Sequence, residues 1–150
     1  MEVAGLPKRF YVLLCISVVS FIIMTWLSHQ NGEHTAQTSM NLARWLSFIN
    51  PDTEAVNAWL RRYAHVFLFS IMTILILMTL SAGGIHPLIG VPFLYLLSWM
   101  DEATKPFIQG RHYHWDDVKL NMAGVTIGCI LFFCGAAIIY LTRTYVSNRK

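Results

Sequence analysis

Charge is what this sequence has least of. Charged side chains make up 13% of the 150 residues and hydrophobic ones 55%, against roughly 25% charged in an ordinary soluble domain. A water-facing shell around an apolar core is therefore excluded as the whole design. Cysteine is scarce too: Cys15, Cys129 and Cys134 all lie inside apolar runs, where thiols act as small hydrophobes and no disulfide or metal spacing arises. No Lys/Arg-rich run with interleaved aromatics offers a face to nucleic acid, and the net charge of +3 is modest. No serine or cysteine sits in a nucleophile motif, and no cofactor-binding pattern, repeat or low-complexity segment is evident.

Long hydrophobic runs are what the sequence has instead. A bilayer core needs about 20 apolar residues in a helix, and roughly 17 at the short end. Four segments, 10–27, 64–80, 85–100 and 122–141, have that character. They predict an all-α, polytopic membrane protein with four transmembrane helices in a single domain over residues 1–150. Lys8 and Arg9 precede the first run as in a signal peptide. That run exceeds an h-region of about 7–15 residues, and SHQNGEH offers no cleavage pattern, so the helix is expected to be retained. The third run is interrupted by Gly83-Gly84, Pro87, Gly90 and Pro92, which predicts a helix starting as late as Pro92, tilted or partly re-entrant.

Between the first two runs, Leu42, Trp45, Leu46 and Ile49 recur at helical spacing, Asn50-Pro51 restarts a helix, and Val56, Trp59, Leu60 and Tyr63 follow. Proline suits a first helical position. Two short amphipathic helices at the membrane surface satisfy both sets, with their tryptophans in the interfacial belt or capping the bundle.

Four alternating spans bring the end of the first, the start of the second, the end of the third and the start of the fourth to one face. Ser28, Gln30, His65, Asp101, Glu102, Lys105, Gln109, Arg111, Asp117 and Asn121 all fall there. Lys8, Arg9, Arg143, Arg149 and Lys150 mark the opposite face as cytoplasmic, with both termini inside and the polar face outside.

Residues 101–121 hold Asp101, Glu102, Asp116 and Asp117, half of the eight acids in the chain. Asp101 and Glu102 fall at a helix end, just before Lys105-Pro106. A helix C-terminus disfavours carboxylates by about 0.3–1 kcal/mol, and membrane proximity adds desolvation. Folding asks for no acid pair at that point, and acids in such places are common at working sites beside a cation, here Arg111, Lys105 or His65. His65 opens the second span, where a neutral imidazole can accept or donate a proton. Asp116 and Asp117 suit N-cap positions. Asp117, Asn121, Gly124, Gly128, Leu131 and Gly135 form one stripe on the fourth span. Its G-x-x-x-G surface suits helix association within the chain or between two copies through Gly124 and Gly128, and Asn121 is placed to bridge helices. His112 and His114 are read as surface residues, and no metal site is expected.

With those residues in view, the chain resembles the VanZ-like family of small bacterial membrane proteins over nearly its whole length. SHQNGEHTAQTS resembles the family's S-x-Q-x-G segment, and YAHVFLF its A-H-F-x-x-Y segment. DEATKPFIQGRHYHWDDVKLNMAG is similar to D-E-x-x-Q-x-F-x-P-G-R followed by D-x-x-x-N-x-x-G. Asp101, Glu102, Phe107, Gly110, Arg111, Asp117, Asn121 and Gly124 match those positions, joined by Ser28, Gln30 and His65. The chain departs from the pattern at Lys105, where the family commonly has Gln, at Gln109, where it has Pro, and at Phe69-Ser70 around the usual Tyr. The resemblance implies a multi-pass protein of the bacterial cell membrane associated with low-level teicoplanin resistance, and no defined reaction.

Three readings of function stay open. In the first, a lipid or lipid-linked wall precursor is bound or modified at the outer face. His65, Asp101, Glu102, Arg111 and Asp117 are then the candidate catalytic set, and Ser28, Gln30, Lys105, Gln109 and Asn121 the candidate ligand-binding set, with Arg111 and Lys105 suited to an anion. In the second, the charged network is a scaffold that locks the helices and presents a surface to a membrane partner. Transport, the third, is disfavoured because the charge sits at one end only.

Overall fold

A computed structural model describes residues 5–48 and 50–149, with the backbone alone for residues 32–35. Ile49 and Lys150, used in the surface-helix and orientation arguments, lie outside the described residues. The architecture is all-helical among the described residues: α1 (Lys8–Ser28), α2 (Gly32–Trp45), α3 (Thr53–Ala82), α4 (Val91–Ala103) and α5 (Trp115–Ser147), with single 3₁₀ turns at Pro87–Gly90 and Lys105–Phe107.

Three helices, α1, α3 and α5, are long and apolar enough to cross a membrane, where four were expected. The exception is α4, which is only 13 residues long, about 20 Å at 1.5 Å per residue and short of a roughly 30 Å hydrocarbon core. Pro87 and Gly90 divert the incoming chain into a 3₁₀ turn, so the helix proper is what remains. Solvent choice is visible in burial: only 11% of the apolar window of α1 and 17% of that of α5 is buried inside the protein. Val12, Val19, Ile22 and Trp26 on α1 and Ile130, Ile138 and Leu141 on α5 point outward. Such a surface is at home in lipid.

The second expected surface helix is also corrected. Asp52, not Pro51, starts the helix: its carboxylate accepts from the backbone N–H groups of Glu54 and Ala55 at 3.1 and 3.0 Å, an N-cap of the ordinary kind. From there α3 runs unbroken for 30 residues, about 45 Å, so Val56, Trp59, Leu60 and Tyr63 form its first turns. Only α2 is a separate amphipathic helix. At the other end, Gly84 adopts φ +75°, while Ile85 N–H bonds Leu80 O at 2.9 Å and Gly84 N–H bonds Ser81 O at 3.2 Å. This is a Schellman stop, and the left-handed position favours glycine. Asp116 and Asp117 lie in the first turn of α5, with His114 at the N-cap position.

α1 runs antiparallel to α3, joined by the buried Ser17–Thr79 hydroxyl pair at 2.9 Å. α4 runs antiparallel to α5, where Tyr95 and Thr126 hydroxyls meet at 2.7 Å. α3 and α5 run parallel at close range. A Cβ on Gly124 would stand 2.6 Å from Val66 O, and one on Gly128 2.7 Å from Ser70 O. The G-x-x-x-G pair therefore packs against the chain's own α3. Met24, Phe69, Met72, Leu77, Leu94 and Val125 form the core between the four longer-contacting elements.

Gly124→Ala is expected to cost about 1–3 kcal/mol through forced separation of α3 and α5. Gly135, with open space at its Cβ, should tolerate alanine within about 0.5 kcal/mol. Thermal unfolding midpoints in mild detergent compare the two, and equal midpoints would contradict the close helix contact.

Candidate functional site

Antiparallel pairing carries the C-terminal ends of α1 and α4 to the same level as the start of α5 and the second turn group of α3. A cavity of about 310 Å³ opens there between α1, α2 and α3, floored by α4 and the loop after it. Its walls are apolar, from Met24, Leu27, Leu42, Leu60, Leu68 and Phe69, while Ser28, Gln30, Arg61, His65, Asp101, Lys105 and Arg111 gather at its polar end. Thr38 and Ser39 of α2 complete the lining.

A chain of hydrogen bonds fixes the polar end. Ser28 donates its hydroxyl to Asp101 Oδ2 at 3.0 Å. Asn121, fully buried, donates Nδ2 to the same carboxylate at 3.4 Å and to Ser98 O at 3.2 Å. Its Oδ1 then faces His65 Nδ1 at 2.8 Å. Because the amide oxygen only accepts, His65 carries its proton on Nδ1, and in the neutral ring Nε2 is the acceptor. That nitrogen lies 3.9 Å from Asp117 Oδ2, with both side chains part-exposed. A neutral imidazole held by one nitrogen with the other near a cavity is suited to proton transfer.

Glu102 sits differently from the expectation that grouped it with His65. It is 0% exposed and is not among the cavity-lining residues. Lys105 Nζ pairs with Glu102 Oε2, and His114 N–H donates to Oε1 at 3.0 Å. Lys105 is itself 2% exposed and lies 3.8 Å from Asp101 Oδ2. The cation offsets both the acids and the negative end of α4, which explains how two carboxylates tolerate a helix C-terminus. Glu102 thereby ties the start of α5 to the end of α4.

Arg111 reaches back to the end of α1. Its Nε donates to Gln30 O at 3.1 Å and Nη2 to Ser28 O at 3.4 Å. Burial pulls this guanidinium below its ordinary pKa and nearby Arg61 adds to the pull, against Glu102, Asp117 and Asp101. Gln30 contributes this backbone carbonyl and also lines the cavity. Gln109 is exposed and stands apart from the lining. His112 and His114 side chains are exposed, and among the described residues no group of three or more His, Cys, Asp or Glu is placed to hold a metal ion.

Sequence reasoning missed Arg61 as a lining residue. Its spacing of four from His65 places both on one face of α3, a signal that was present. Also missed was His29, whose Nδ1 bonds Thr25 O at 2.9 Å and whose Nε2 lies 2.8 Å from Thr104 Oγ1, a second tie between α1 and α4.

Outward-facing apolar helices around a buried polar cluster define a helical membrane protein. The model of the VanZ/LLP1 family matches residues 10–140, and the chain belongs to that family. Comparison with curated proteins and with solved structures gives no match in either.

Glu102→Gln should cost about 3–5 kcal/mol, because it strands a buried ammonium. Combining Glu102→Leu with Lys105→Met should recover much of that loss. Unfolding midpoints and detergent-extracted yield measure both. A single variant as stable as the parent would show that the buried Glu102–Lys105 pair does not stabilise the end of α4.

Proposed function

We propose that this protein takes a membrane amphiphile, a lipid or lipid-linked cell-envelope precursor, into the cavity at the headgroup level of the outer face of a bacterial cell membrane, and so contributes to glycopeptide tolerance of the teicoplanin type. The observation that carries this reading is the graded lining of one cavity, apolar over most of its wall and polar at one end. Ligand sites of about 300–1,000 Å³ with apolar walls and a few convergent polar groups are the common form. An amphiphile matches that gradient as neither a free ion nor a pure hydrocarbon does. Basic residues at Lys8, Arg9, Arg143 and Arg149 support cytoplasmic termini and an outward cavity.

The division of labour within the cluster follows from accessibility. His65, Asp101, Ser28 and Arg111 line the cavity and are the groups available to a ligand, with His65 as proton acceptor if the bound molecule is modified. Asn121 holds His65 in place through its Nδ1. Glu102 and Lys105 favour a second reading for their half of the cluster, a structural clamp, since each is buried and paired with the other.

Lipid extraction from protein purified in mild detergent tests the proposal. The parent should carry an amphiphile through gel filtration in a fixed ratio. Ala64→Trp, which places a large ring in the cavity wall, should lose most of it, at unchanged yield and monodispersity. Equal lipid content in both would refute cavity binding.

A further inference from the structure

We infer that a groove between α3 and α5 holds the hydrocarbon chain of the amphiphile whose polar part occupies the cavity, so that the ligand is a long-chain lipid seated across α3 and not a short-chain or water-soluble molecule. This deepens the cavity reading and rests on it.

The cavity is too small to hold such a ligand whole. Its volume of about 310 Å³ lies at the lower end of the roughly 300–1,000 Å³ that enclose a drug-sized molecule. A lipid with a chain of membrane length must continue beyond it. A second depression, of about 510 Å³, runs along α3 and α5, walled by Phe67, Ile71 and Ile74 of one helix and Ile127 and Leu131 of the other. Leu60 and Ala64 line both spaces. They stand four residues apart on one face of α3, so a ridge of one leucine and one methyl group separates cavity from groove, and Ala64 is its low point.

The groove has the direction, length and polarity that a chain needs. It begins at the polar end, and from His65 to Ile74 α3 advances nine residues, roughly 14 Å, close to half of an about 30 Å hydrocarbon core. A chain laid there spans one leaflet, alongside its lipid neighbours. Ser70 brings a hydroxyl to the lining, but its Oγ lies 2.7 Å from Val66 O and 2.9 Å from Gly124 O, so its bonding is satisfied inside the protein. The fixed apolar walls offer a chain many weak dispersion contacts. Continuity with the cavity favours a chain over a helix from a second copy: a row of single methylenes can cross Ala64, and a helix about 10 Å across cannot.

The full-length protein in mild detergent is loaded with phosphatidylglycerol carrying a diazirine midway along one acyl chain, passed through gel filtration, irradiated and mapped by peptide mass spectrometry. Cross-links should concentrate at Phe67, Ile71, Ile127 and Leu131, about tenfold above Val19 and Ile22 of α1, which are exposed on the lipid-facing side of another helix. Ile71→Trp fills the groove and leaves the cavity lining untouched. It should cut the retained probe about tenfold, the scale of some ten lost atomic contacts. Ile130→Trp, exposed on α5 and outside the groove lining, should change neither retention nor labelling. Ser39→Trp, which narrows the cavity alone, should remove the groove cross-links by displacing the polar part. Cross-links spread evenly over the groove and α1, with Ala64→Trp still stripping the probe, would overturn the chain groove and leave cavity binding standing. Groove cross-links that survive Ser39→Trp would overturn it in favour of a separate surface lipid. A dimer that Ile71→Trp converts to monomer, with the groove unlabelled in the parent, would overturn it in favour of a second copy of the chain.

Discussion

One buried amide governs the arrangement of the polar end. Asn121 accepts from His65 on α3 and donates to Asp101 and Ser98 on α4, and Asp101 in turn accepts from Ser28 on α1. Four helices are thus joined through one side chain with no exposed surface. Hydrogen bonds of this kind are strong in a low-dielectric interior, and unpaired partners there are costly. The glycines one and two turns further along α5 belong to the same constraint. Gly124 against Val66 and Gly128 against Ser70 set the parallel register of α3 and α5, and that register puts Asn121 opposite His65. A shift of one turn would separate them by about 5.4 Å.

The concentration of charge at one end then has two causes. Part of it is architectural: Lys105 neutralises the C-terminal end of α4, and Glu102 anchors the first turn of α5 through His114 N–H. The other part, His65, Asp101, Arg61 and Arg111, faces a cavity whose remaining wall is apolar. A short α4 serves both. Because it ends at the level of Ser28 and Asn121, its carboxylates reach the other helix ends without leaving the protein interior.

Much of this was legible in the sequence, for identifiable reasons. Apolar run length located the three long spans, and the spacing of Asp117, Asn121, Gly124 and Gly128 placed them on one helix face. Alternation of spans was enough to collect Ser28, His65, Asp101 and Arg111 at one end. Hydropathy alone did not distinguish α4 from a full span, because Ile85, Leu88 and Ile89 are apolar yet lie in a turn region shaped by Pro87 and Gly90. Nor did it join the surface turns to α3, since Asn50-Pro51 reads as a break while the decisive cap is Asp52. The split between Glu102 and Asp101 lay out of reach: neighbours in sequence project about 100° apart on a helix, and only the placement of α5 decides which is enclosed. Glycine spacing revealed a contact surface without revealing that α3 fills it.

The Glu102–Lys105 pair is separated by only three residues on consecutive turns of backbone. Two opposite charges so near in sequence need no tertiary fold to find one another. During membrane insertion the segment can therefore enter the headgroup zone as a neutral dipole, sparing each ion most of its dehydration cost. The other oxygen of the same carboxylate accepts from His114 N–H, twelve positions downstream, so one short-range ion pair also presents an acceptor to the start of the fifth helix.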